Sequence, residues 1–246
     1  MLFEPHDPID HEVLAQFLEM SGSGIQAEVI DRCASTNALL LERARAGAPH
    51  ASALVCEHQT AGRGRRGSAW ISAPGASLTF SLLWRFGSVV SALSGLSLAV
   101  ALASARALEF QGAAQIKLKW PNDLLFDGRK LGGILVESLQ DADGTAAVIG
   151  IGLNVRASPA LRDGVGHPVA DLSEAGARGT RAELLAAQLA QLADLLPRFE
   201  KEGFAPLREE WLAHHAWQGR NVRLYSGERM HAEVETVGVA EDGALL

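Results

Sequence analysis

Apolar positions along this chain recur with two different periods, and the changes from one to the other mark out the elements. Val13, Leu14, Phe17 and Leu18 sit three and four residues apart behind Asp10, which predicts a helix capped by that aspartate and stopped at Ser21-Gly22. Ser35-Thr36-Asn37 stands ahead of Ala38 to Leu41, with Gly47 and Pro49 beyond them: a cap, an apolar stripe and a stop. Thr180 and Glu183 have the spacing of a capping box, and the stripe Leu185, Leu189, Leu192, Leu196, Phe199 follows it. A further helix, rich in small apolar residues, is predicted near 91–111. The intervening segments read as strands, around 28–30 and at 53–56, 77–86, 116–120, 124–126, 130–138 and 146–154. Asp127-Gly128 parts two of them and signals a two-residue hairpin turn. Strands in runs, without regular βαβ alternation, predict an α+β fold around a mixed, mostly antiparallel sheet flanked by helices.

The pattern changes after Asn221. Val222, Leu224 and Tyr225, then Met230, Ala232 and Val234, alternate across the turn Ser226-Gly227-Glu228. We therefore divide the chain into a main domain, 1–217, and a small β module, 218–246. Two or three strands are marginal alone, so the module is expected either to lean on the main domain or to be incomplete here.

Composition narrows the function classes. A chain of 246 residues, 48% of them apolar, buries enough surface to need neither a disulfide nor a structural metal. Its cysteines, Cys33 and Cys56, form no CxxC pair, which fits a reduced cytoplasmic protein. With 22 Lys+Arg against 29 Asp+Glu the net charge is −7, which argues against a protein that coats nucleic acid or an anionic membrane. Any phosphate must then be met by a local cluster. No basic-then-apolar leader opens the chain, and no run approaches the roughly 18 apolar residues of a membrane span.

Three stretches carry candidate chemistry. Gly62-Arg63-Gly64-Arg65-Arg66-Gly67 formally satisfies G-x-G-x-x-G, but Ser68 to Gly75 reads as no helix and Gly87 occupies the place of the expected acidic residue. What remains is a flexible loop with exposed N–H groups and three guanidiniums able to fork onto phosphate, or else a plain basic surface loop. In Lys119-Trp120-Pro121-Asn122-Asp123, followed by the hairpin to Gly133, a turn at Asp127-Gly128 pairs Phe126 with Arg129, Leu125 with Lys130 and Asp123 with Gly132. Asp123 and Lys130 then share a face, as a site for a metal-bound nucleotide or as a surface ion pair. Finally, Ile149 to Val155 ends an apolar strand in Asn154, whose amide either satisfies a turn or reads a base edge.

In this order, the stretches resemble the biotin protein ligases: Ser35-Thr36-Asn37, Gln59, the loop from Gly62 to Gly67 with Trp70, Lys119 to Asp123, Arg129 to Gly133, and Gly150 to Asn154. The resemblance spans nearly the whole chain. It implies a fold akin to class II aminoacyl-tRNA synthetases and lipoate ligases, with an SH3-like β module at the C-terminus. It implies a monofunctional, ATP-dependent enzyme that makes biotinyl-5′-AMP and passes biotin to a lysine of a carboxylase's biotin carboxyl carrier domain. The implied biotin-binding positions are Ser35, Thr36, Asn37, Gln59, Gly62, Arg63, Arg65, Trp70, Lys130 and Gly132. Those for ATP are Arg65, Arg66, Asn122, Lys130 and Asn154, with Asp123 holding Mg²⁺ and Lys130, Arg65 and Arg63 neutralising the reacting phosphate. Ser68 departs from the pattern, because many relatives carry a basic residue there, and 156–171 has no aromatic to cover an adenine, leaving Val169 or nothing. The β module is expected to fall roughly two strands short of the family's. A DNA-binding winged helix is not expected, nor a membrane partner, and a homodimer is left open. The competing readings are a lipoate ligase and a non-catalytic biotin-binding regulator. His6, His11, His214 and His215 lack ligand spacing and are read as surface or packing residues.

Overall fold

The computed structural model describes residues 7–87, 93–141, 144–226 and 229–246. Helix α1 (His11–Ser21) begins where Asp10 accepts the Glu12 and Val13 N–H groups, and it ends at Gly22 in the left-handed conformation. Strand β1 (Gln26–Cys33) leads to α2 (Thr36–Arg45), capped by Ser35, and then to β2 (Ser52–Gln59), which pairs parallel with β1. A ribbon of β3 (Gly62–Arg63) and β4 (Ala69–Trp70) precedes β5 (Ser77–Phe86). Helix α3 (Leu96–Phe110) is followed by β6 (Lys117–Lys119), β7 (Asp123–Phe126), β8 (Arg129–Asp141) and β9 (Gly144–Asn154). The chain continues through α4 (Pro159–Gly164), α5 (Arg181–Glu202) and α6 (Arg208–His214), and then the antiparallel pair β10 (Asn221–Ser226) and β11 (Arg229–Glu235).

Seven strands form one sheet in the order β1-β2-β5-β9-β8-β7-β6, antiparallel except at β1-β2. The expected α+β architecture with a mixed, mostly antiparallel sheet is thus present, and the β10-β11 pair is consistent with a small SH3-like module. Side chains of a strand alternate between faces. On β9, Ala147, Ile149, Ile151 and Leu153 enter the main core with the apolar faces of α3 and α5. The opposite face carries Ala146 and Val148, which pack on Leu40, Leu41 and Ala44 of α2. The next two residues on that face are Gly150 and Gly152. Helix α2 has 10 residues, about 15 Å of cover, against the 11 residues or about 36 Å of β9. More than half of that face is left for something other than core.

Several expectations change. Asp127 (φ 50°) and Gly128 (φ 70°) form the expected hairpin turn, and Leu125↔Lys130 and Phe126↔Arg129 pair as expected. Asp123, however, pairs with Gly133 and not Gly132, because a bulge between Leu124 and Leu125 shifts the register by one. The helix expected from residue 91 starts at Leu96, where Gly95 has φ 78° and a Cβ would lie 2.6 Å from that of Phe204. Residues 88–92 lie outside the described residues, as do 227–228 in the Ser226-Gly227-Glu228 turn. The arginine loop is not irregular: it folds as the β3-β4 ribbon around a 3-10 turn at Arg65–Gly67. Helices α4 and α6, six and seven residues long, are too short to declare a periodic stripe.

One buried charge ties the N-terminal segment to this frame. Arg181, 1% exposed at the first turn of α5, donates to both Glu57 carboxylate oxygens, to the Ser77 carbonyl and to the Asp7 carbonyl. Removing one partner of such a buried pair strands the other. We expect Arg181→Met to cost about 3 kcal/mol and lower the melting temperature by roughly 6–12 °C in calorimetry; a shift under about 2 °C would show that the pair is dispensable.

Candidate active site

The uncovered part of the β9 face floors a cavity. Its walls are the α2 N-terminus, the β3-β4 ribbon and the β7-β8 hairpin. Gly150 and Gly152 are required there for different reasons. A Cβ on Gly150 would sit 2.2 Å from Asn37 Oδ1, and one on Gly152 would sit 2.4 Å from Trp70 Cε2. The Trp70 indole therefore lies against bare backbone, and its own N–H has no partner within the protein among the described residues.

At one end the lining carries no net charge: its polar side chains are neutral apart from Arg63, which is paired with Glu137. The Thr36 N–H donates to Gln59 Oε1 at 2.7 Å, which fixes the amide orientation and leaves its NH₂ end as a donor. Ser81 Oγ lies 2.6 Å from Asn37 Oδ1 and 2.7 Å from Thr36 Oγ1. Asn37 Oδ1 can only accept, so the Ser81 proton goes there and Thr36 supplies the next link. Asn37 Nδ2 in turn donates to the Leu135 carbonyl and to Glu137 Oε2. Ser35, Thr36, Asn37 and Ser81 are all buried, and a buried polar cluster is costly unless each member is satisfied. Here the donors and acceptors form one continuous chain.

The other end is cationic. Lys130 Nζ is 2.8 Å from Asp123 Oδ1, and Lys119 Nζ is 3.8 Å from Oδ2. Arg65 donates to Asn122 Oδ1 at 3.2 Å, while Asn122 Nδ2 donates to the Ile134 carbonyl at 2.8 Å. Burial and the neighbouring Arg66 charge push the Arg65 guanidinium below its ordinary pKa. Three cations gathered about one carboxylate leave this end net positive, as an anion site requires. Gly133 fits between: a Cβ there would lie 3.4 Å from Lys130 Cε.

Thus Ser35, Thr36, Asn37, Gln59, Arg63, Arg65, Trp70, Asn122, Asp123 and Lys130 all line one cavity. Four other expected residues do not. Gly62 serves the ribbon, since a Cβ would meet the Trp70 carbonyl at 2.4 Å, and Gly132 serves the close approach of β8 to β9, where Leu153 and the Gly152 carbonyl crowd it. Asn154 is a strut: its Nδ2 donates to the Lys130 and Ala170 carbonyls, while the Lys130 N–H donates to Pro168. Arg66, turned outward by its left-handed backbone (φ 55°), donates to the Tyr225 carbonyl of β10. Arg63 lies at the cavity but pairs with Glu137 at 3.0 Å instead of joining Lys130. Ser81 and Glu137 went unmarked in the sequence. The alternation Ser77, Thr79, Ser81 within an apolar strand was a usable signal for the first; an acid following an apolar run was too common to flag the second.

Comparison with known proteins agrees with this geometry. Residues 29–154 match the Biotin/lipoate A/B protein ligase family. The chain is 37% identical to the bifunctional ligase/repressor BirA of Escherichia coli, over 92% of this chain and 69% of that protein. It is 34% identical to the biotin--[acetyl-CoA-carboxylase] ligase of Paracoccus denitrificans, over 89% of this chain and 92% of the other. Among solved structures, the biotin protein ligase of Aquifex aeolicus in complex with biotin and ATP superposes with a TM-score of 0.74 at 28% identity, covering 89% of this chain and 90% of that one.

The glycine floor yields a direct test. Gly152→Ala must unseat the Trp70 indole, an overpacking that costs about 1–3 kcal/mol. Urea denaturation followed by circular dichroism measures it, and an unchanged midpoint would mean that the ring does not rest there.

Proposed function

The chain belongs to the Biotin/lipoate A/B protein ligase family, and we propose that it is an ATP-dependent biotin–protein ligase working through biotinyl-5′-AMP. The observation that carries this reading is the division of one cavity into a neutral hydrogen-bonding end and a cationic end, with Trp70 between them. Biotin has the same sequence of parts: an uncharged ureido ring, an apolar tail and a carboxylate.

In the first half-reaction a biotin carboxylate oxygen attacks the α-phosphorus of ATP, and the bond to the bridging oxygen breaks to release pyrophosphate. Two anions must approach each other, so preorganised positive charge at the developing phosphorane counts most. We assign that role to Lys130 and Arg65, which line the cationic end of the cavity. Asp123 and Asn122 hold the two cations in position before the nucleotide arrives. Ser35, Thr36 and Gln59 orient the ureido ring, and the Trp70 face lies along the tail. In the second half-reaction a neutral lysine amine of the acceptor attacks the acyl carbon, and AMP leaves with the phosphoryl oxygen's electron pair. The acceptor we assign is a biotin carboxyl carrier domain of a carboxylase. Closure of the arginine ribbon over the cavity excludes water from the mixed anhydride between the two steps.

For Mg²⁺ the donor set fits an ion brought by the nucleotide and not an all-protein cage. Asp123 presents a single carboxylate, and among the described residues no group of three acidic, His or Cys side chains comes together. Asp123 would contribute one oxygen, and the bound ion would neutralise phosphate charge. We take residues 1–217 as the catalytic unit and 218–246 as an SH3-like module, with the acceptor approaching near the seam where Arg66 meets Tyr225.

Lys130→Ala is expected to lower biotin-dependent exchange of pyrophosphate into ATP by roughly 10²–10³-fold; exchange near the wild-type rate would remove this ammonium from the mechanism. Lipoate ligases share the family, and titration calorimetry separates the two readings. Biotin should bind alone and tighten ATP binding, whereas lipoate should give no heat; heat with lipoate alone would reverse the assignment.

A further inference from the structure

We propose that Glu137 is a positioning residue which, with Arg63, forms a clasp holding the arginine ribbon shut over the cavity. Arg63 on this view retains the intermediate and does not neutralise the reacting phosphate. The proposal rests on the biotinyl-adenylate reading above.

Glu137 Oε1 is 3.0 Å from Arg63 NH2, and its Oε2 accepts from Asn37 Nδ2 at 3.0 Å. Asn37 is 3% exposed and held in turn by Ser81 and the Leu135 carbonyl, so the catch is built on a rigid part of the sheet. The latch is mobile by comparison: Arg63 lies on a strand of two residues and its side chain is 50% exposed. Gly133, Leu135 and Glu137 share one face of β8 by alternation. Gly133 packs against Lys130 and Asp123, and Glu137 lies four residues beyond, about 13 Å along the strand. At that remove the Arg63 charge is already matched by a carboxylate, so the pair presents a dipole and not a free charge. Arg63 therefore adds little field at the phosphate end, where Arg65 and Lys130 act. Its opening would instead lift β4 and unseat Trp70 from Gly152, exposing the anhydride. A half-exposed ion pair is weak, which suits a clasp that must release for substrate entry and product exit.

Glu137→Gln keeps an acceptor for Asn37 and removes only the charge. With biotin, ATP and Mg²⁺ but no acceptor domain, free biotinyl-5′-AMP is followed by chromatography. We expect the variant to release it roughly threefold to fivefold faster, the scale set by a partly exposed ion pair. Raising the salt should speed release from the wild type and leave Glu137→Gln flat, a response that general loosening of the fold would not produce. Arg63→Gln reads the same contact from the ribbon side should Glu137→Gln fail to fold. Its KM for ATP should move less than twofold, whereas Arg65→Gln raises it. Equal release from wild type and variant, or an ATP KM raised tenfold in Arg63→Gln, would overturn the clasp while leaving the ligase assignment intact. A wild type that makes no adenylate at all would overturn the ligase assignment and the clasp with it.

Discussion

Everything at the site depends on a stretch of sheet that carries no side chains. On the α2 side of β9 the sequence supplies Ala146 and Val148 and then Gly150 and Gly152; the body of α2 covers the first pair, its N-terminal Asn37 reaches only Gly150, and Gly152 is left to the Trp70 indole. A strand in the middle of a seven-stranded sheet is an expensive place for two glycines, since each adds backbone entropy and buries no side chain. The return is a floor on which Asn37 and the Trp70 indole rest directly against backbone. With β-branched residues there, the α2 N-terminus and the β3-β4 ribbon would both be lifted off the sheet.

Given that floor, polarity along the cavity follows from which elements end there. The buried N-terminus of α2 brings its orphan N–H groups and small polar side chains, and Gln59 at the end of β2 answers them. At the far end the β7-β8 hairpin places Asp123 and Lys130 together, and its bulge sets their register. Asp123 lowers the net charge of the cationic end. Without it, Lys119, Lys130 and Arg65 would repel one another and swing into water, so the carboxylate trades some net charge for preorganisation.

The elements were legible because their signals are local. The Asp10 cap, the Thr180–Glu183 box and the Asp127-Gly128 turn each depend on a few adjacent residues, and each reappears in the fold. The site was legible only as a set of motifs, and the contacts of its residues were not, where the partners are distant in sequence. Asn154 at its strand end could equally satisfy a turn or read a base; its Nδ2 donates to the carbonyls at 130 and 170, partners that no local pattern announces. Gly132, and not its neighbour Gly133, was the glycine expected at the ligand. A one-residue bulge gives the first to strand packing and the second to the cavity.

The arginine ribbon shows the same limit most clearly. Read as composition, Arg63, Arg65 and Arg66 are three equal charges for one polyanion. The 3-10 turn and the left-handed backbone at Arg66 send them to separate bodies: Arg63 to Glu137 on the central sheet, Arg65 to Asn122 beside the β7-β8 hairpin, and Arg66 to the Tyr225 carbonyl of the C-terminal strand pair. A single short segment thus touches the neutral end of the cavity, its cationic end and the outer β module at once. Any movement that opens it must break contacts with all three. Since each contact is partly exposed and individually weak, the ribbon can hold shut through their sum and still let go when a substrate competes for one of them.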